Sequence, residues 1–99
     1  MRIIKAKDIY KRKRIRKNFN YFIDLLEECH LKEGKNFKVL TEKELKESSI
    51  ETLDKYRETV MDTFLEFGLQ EDDEPNDYGL ELEPLIDYLS NIIFLKEED

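Results

Sequence analysis

Three groups of residues in this chain have types and spacings that could do chemistry. The first is the adjacent pair Cys29-His30, a thiol next to the only histidine. Adjacent residues on a helix point roughly 100° apart, the wrong geometry for a nucleophile and its base or for two ligands of one metal. A single histidine also rules out a His-pair zinc site. His30 reads more simply as a cation near a helix C-terminus, where the helix dipole favours positive charge. The second group is the acidic stretch Glu71, Asp72, Asp73, Glu74 and Asp77. Calcium loops carry carboxylates at spaced positions around a glycine turn, and the Asp-x-Asp-x-Asp-Gly spacing is absent here, so a solvated acidic loop is expected. The third is a cationic cluster, Lys11, Arg12, Lys13, Arg14, Arg16 and Lys17. Such clusters bind phosphates by counterion release and need no base-reading motif.

Other catalytic signatures are missing: no phosphate-binding loop, no G-x-G-x-x-G, no G-x-S-x-G and no H-E-x-x-H. Three glycines and one histidine leave most backbone phosphate cradles and acid–base schemes short of parts. With acids making up 24 of 99 residues, paired carboxylates carry no information. The expectation is a protein that is not an enzyme and needs no cofactor or metal.

The charge layout is the strongest signal. Net charge is −7, but residues 1–17 hold nine cations and one anion, a net +8, and residues 18–99 carry −15. Three readings of the basic segment stay open. It can lie against the acidic body of its own chain or of a neighbouring copy, since charges at these densities attract across a Debye length of roughly 8–10 Å. It can contact nucleic acid, approached from one side because the acidic body repels phosphates. It can also meet an anionic protein or membrane surface, because Ile3, Ile4, Ile9, Tyr10 and Ile15 interleave with the cations as in a basic amphipathic helix.

These residues must be positioned by helices. Asp8 is a plausible cap, and Ile15, Phe19, Phe22, Ile23 and Leu26 follow three-and-four spacing, predicting a helix over 8–31. Its cations come first and its acids second, against the helix dipole, so a later start near Arg14 is the alternative. Gly34 stops it. Residues 36–40 are expected as a short strand, paired with 2–6 if either forms. Thr41 and Glu44 spell a capping box with Leu40 and Leu45 as staple, opening a brief helix. Ser49 caps the next, over 49–67, where Ile50, Leu53, Tyr56, Val60, Phe64 and Phe67 form a stripe widened by Met61 and Leu65. Gly68 closes it. Residues 70–79 read as a polar loop broken by Pro75 and Gly79, Leu80 and Leu82 as extended, and Pro84 as the first turn of a last helix running to Leu95, with 96–99 frayed. Residues 78–85 resemble the passage from wing to last helix in winged-helix regulators, over about a tenth of the chain. The threonine and the glycine position of those regulators are missing, and no family or residue role is taken from the likeness. Phe19, Phe22, Phe64 and Phe67 are expected in the core, not on a base-stacking surface.

The expected fold is therefore mainly α: one small domain over 1–99, with three principal helices and one short one, and at most a two- or three-stranded β element. One cysteine, no secretory pattern and no long apolar run point to a cytoplasmic protein without a membrane span. The Lys-, Glu- and Asn-rich composition suits a low-GC bacterium or its phage. The expected function is a small binding or regulatory protein that modulates a host complex through a protein partner. Nucleic-acid binding through residues 2–17 is the alternative, and head-to-tail self-association the third class.

Overall fold

The computed structural model describes residues 18–98. It contains α1 (Phe19–Lys32), α2 (Glu42–Glu47), α3 (Ile50–Phe67) and α4 (Asp77–Glu97). The expected mainly α architecture of three principal helices and a short one is what forms. Segments 2–6 and 8–17 lie outside the described residues.

Side chains start each helix. Asn18, in extended conformation, accepts from the Tyr21 N–H at 3.1 Å, so the helix that carries Phe22 and Leu26 begins at Phe19, later than the expected 8–31 span. At the other end Gly34 adopts φ 71°, and the N–H groups of Gly34 and Lys35 return to the carbonyls of Leu31 and His30 at 3.1 and 2.8 Å. This is a Schellman stop, which needs a left-handed residue at that position. The Thr41–Glu44 capping box is closed in both directions, at 3.1 and 2.9 Å. Ser49 accepts from the Thr52 N–H at 3.1 Å and starts α3.

Two expectations fail between the helices. Residues 36–40 form no strand. No neighbouring strand among the described residues offers them backbone partners, and Phe37 and Leu40 instead pack on the helical core. The last helix begins seven residues before Pro84, at Asp77, so Leu80 and Leu82 are helical and 78–85 make no wing. Asn76 explains the early start: its Oδ1 accepts from the Gly79 N–H at 2.8 Å, capping α4, while its Nδ2 donates to the Phe67 carbonyl at the end of α3 at 3.0 Å. Pro84 sits within the helix and costs the Leu80 carbonyl its helical donor. At its far end α4 continues to Glu97, two residues beyond Leu95.

α3 and α4 form an antiparallel hairpin and share the largest interface, with α1 packed across both. The hairpin closes where Gly68 meets Gly79. A Cβ built on Gly79 would lie 2.2 Å from the Gly68 carbonyl oxygen, and one on Gly68 would lie 3.0 Å from the Gly79 Cα. Gly79 is thus not a breaker but the residue that lets two helix ends touch. The core below this contact comprises Ile23, Leu25, Leu26 and Cys29 of α1, Leu45 of α2, Leu53 and Val60 of α3, and Leu82, Leu85, Leu89, Ile92 and Ile93 of α4. Each large aliphatic side chain so buried is worth about 1.5–3 kcal/mol before entropy is counted. Phe22 stacks on Tyr88 with centroids 4.7 Å apart. Phe19 and Phe64 are half-buried, but Phe67 stays 46% exposed beneath the Lys32 ammonium, outside the expected core.

Gly79→Ala gains about 1 kcal/mol of helix propensity, yet a net loss of about 1–3 kcal/mol is expected from the forced overlap. Gly34→Ala has open space around it and should lose about 1–2 kcal/mol from left-handed backbone strain alone. Urea denaturation of both variants measures this, and a Gly79→Ala protein more stable than wild type contradicts the close approach. The Tyr88 hydroxyl is buried without a hydrogen-bond partner, so Tyr88→Phe should be neutral or stabilising by up to about 1 kcal/mol. A loss above that in the same assay would show that the hydroxyl has a partner.

Candidate functional site

The six cations singled out from the sequence, Lys11, Arg12, Lys13, Arg14, Arg16 and Lys17, lie outside the described residues. The chain enters the described body at Asn18, directly before α1. The first turns of α1 lie along α4, where the Tyr21 hydroxyl donates to Glu81 at 2.5 Å and Phe22 meets Tyr88.

Cys29 and His30 face different surroundings. Cys29 is fully buried, and burial pushes its thiol up to about 11, with the Thr63 and Tyr78 hydroxyls partly opposing this. A thiol in that state is protonated at neutral pH and a poor nucleophile. Tyr78 is raised as well, first by burial and then by the adjoining Cys29. Its hydroxyl makes no hydrogen bond of ordinary geometry. His30 is 5% exposed, its ring lying 4.6 Å from the Phe37 ring and 5.4 Å from the Tyr56 ring. Its Nδ1 contacts the Leu26 carbonyl at 2.8 Å. A carbonyl only accepts, so the proton sits on Nδ1. Burial lowers the His30 pKa, the Leu26 hydrogen bond opposes this, and Lys35 lowers it further. The expected cation at a helix end is corrected: His30 does occupy the last turn of α1, but as a neutral core side chain.

The acidic loop is organised by its own backbone. Asp72 Oδ1 accepts from the Glu74 N–H at 3.1 Å, Gln70 N–H donates to the Glu74 carbonyl at 2.7 Å, and Leu69 pairs with Pro75 in a single antiparallel bridge. Among the described residues no three His, Cys, Asp or Glu side chains come together as a metal site. Elsewhere the negative charge is crowded. Glu66 is raised above the usual carboxylate range by a hydrogen bond to Glu33 and then by the charge of Glu33.

One surface feature escaped the sequence reading, a groove of about 580 Å³ between α3 and α4. Met61, 47% exposed, Leu65, 64% exposed, and Ile86 supply its apolar lining. Asp54, Glu58 and Asp62 supply carboxylates, and Arg57 crosses it, donating to Asp54 Oδ1 at 2.6 Å and to Ser90 Oγ at 3.1 Å. The groove exists because α3 buries Leu53 and Val60 of the expected stripe together with Thr59 and Thr63, and not Met61 and Leu65, which were expected to widen it. Thr59 and Thr63 are buried towards α1, their hydroxyls donating to the Lys55 and Thr59 carbonyls at 3.0 and 2.9 Å. The Lys35 ammonium donates to Thr59 Oγ1 at 3.0 Å. Residues two apart on a helix lie about 200° apart, so Met61 and Leu65 are left on the opposite side. Their apolar periodicity was visible in the sequence; which half of the stripe finds partners was not.

Among the described residues no helix is long and apolar enough to cross a membrane. Comparison of the chain with protein-family models, with curated proteins and with solved structures finds no match.

The lowered His30 value fixes the sign of a pH effect. The unfolded histidine titrates near its ordinary 6.5, so the stability from burying it neutral is fully present above that pH and is lost as pH falls through the lowered folded value. Relative to His30→Phe, wild type should lose stability between pH 7.5 and 5.5, above the range where most carboxylates titrate. Urea midpoints at both pH values measure this, and a constant difference between the two proteins sinks it.

Proposed function

We propose that this is a small non-catalytic binding protein that regulates a macromolecular complex through a protein partner. The observation that carries the reading is the α3–α4 groove, an apolar floor held open to solvent between two long helices and edged with carboxylates. Buried area on an exposed apolar patch is a common source of protein–protein affinity, and charged rims set partner choice. Supporting it, the side chains most able to do covalent or proton-transfer chemistry, Cys29 and His30, are committed to the core. The Lys-, Glu- and Asn-rich composition suits a low-GC bacterium or its phage, and the small size and polarised charge suit a modulator of a host complex.

Nucleic-acid binding is the second reading, favoured by the net +8 of residues 1–17. Phosphate contacts by Lys11, Arg12, Lys13 and Arg14 would weaken steeply with salt.

Affinity capture from native extract separates the two. Wild type should retain a protein after nuclease treatment, and Met61→Gln/Leu65→Gln should lose it. Capture abolished by nuclease transfers the function to the basic segment. No captured protein, or one indifferent to the groove substitutions, overturns the groove reading.

A further inference from the structure

We propose that the α3–α4 groove is the docking seat of this chain's own basic segment, residues 2–17, bound in cis. The inference rests on the groove being a recognition surface and names its resident ligand.

The chemistry of the two parts is complementary. The groove offers Met61, Leu65 and Ile86 as apolar contacts, flanked by Glu58 and Asp62 one turn apart on α3. Arg57, the cation in the groove, is already turned to Asp54 and Ser90. Residues 2–17 carry nine cations against one anion, with Ile3, Ile4, Ile9, Tyr10 and Ile15 interleaved. An apolar–cationic segment therefore meets an apolar–anionic groove. A second copy's groove is excluded as occupant by sign, since carboxylates would face carboxylates.

The tether also fits. The segment joins the body at Asn18, one turn before Tyr21 and Phe22 meet Glu81 and Tyr88 of α4, and α4 forms one wall of the groove through Ile86 and Ser90. Passing half-way round a helix about 10 Å across takes roughly 16 Å, or about five extended residues. More than half of the segment is left to lie along Asp54 to Leu65, a length of about 16 Å on α3. A tethered ligand this close meets its site at an effective concentration in the ~mM range. Each surface then masks the other. A partner entering the groove releases the cations, and an anionic partner that captures the cations opens the groove.

Heparin chromatography of the full chain tests this. Met61→Gln/Leu65→Gln changes no charge and substitutes exposed positions with a good helix former. It should free the segment and shift elution to higher salt. Phe94→Gln/Leu95→Gln, equally exposed on the last turns of α4, should elute with wild type. Glu58→Gln/Asp62→Asn should shift further than Glu71→Gln/Asp72→Asn, which removes the same charge elsewhere. Circular dichroism confirms that the variants are folded, and sedimentation should give a monomer at low salt. Absence of a shift in Met61→Gln/Leu65→Gln overturns the proposal, as do equal shifts in the two charge pairs. A dimer that dissociates in salt also overturns it, by placing the segment in a neighbour's groove. If the groove substitutions abolish partner capture without moving heparin elution, self-docking fails and the binding function stands.

Discussion

The architecture depends on one close approach, backbone against backbone, where α3 ends and α4 begins. Gly68 and Gly79 leave no room between them for a Cβ on Gly79. Asn76 ties both helix ends with one amide, its oxygen on the Gly79 N–H and its nitrogen on the Phe67 carbonyl. Helix ends leave orphan donors and acceptors that must find partners, and here one side chain satisfies one of each. The distance and register of the two longest helices follow from this clasp. So does the burial of Leu82, Leu85 and Leu89 in one core with Leu53 and Val60, and so does the groove between the two helices.

The features legible in the sequence are those decided within four or five residues. The Thr41–Glu44 box, the Ser49 cap and the Gly34 stop are short hydrogen-bonded motifs whose donors and acceptors are neighbours in the chain. Sequence reading failed where a residue's role is set from far away. By local rules Gly79 is a breaker and Pro84 the first turn of a helix, yet both lie inside α4, because contact with Gly68 and the Asn76 cap outweigh propensity. The strand over 36–40 fails for a related reason: Phe37 packs on His30 and Tyr56, and no strand among the described residues lies beside it.

The candidate site was half legible. Composition exposes the cationic segment immediately, since charge needs no fold to be counted. The groove needed the fold. On α3 the apolar stripe is wider than any one contact, and the surplus lies at Met61 and Leu65 because α1 arrives on the Thr59–Thr63 side. Burying two threonines costs little there, as each hydroxyl is spent on a carbonyl of its own helix. The same choice leaves two large apolar side chains facing water beside Glu58 and Asp62.

Charge then bears on stability as well as recognition. Residues 18–99 carry −15, and a carboxylate such as Glu66 already titrates high because Glu33 adjoins it. A body this anionic repels itself, and the repulsion is relieved by any cation brought near. The chain supplies eight net positive charges at its own amino end. In the proposed docking, attraction of that segment to the acidic groove lowers the free energy of the folded body and sets the threshold a competing anion must exceed to draw it away. Salt weakens both effects together, so the proposal couples fold stability and availability of the cations through a single electrostatic balance.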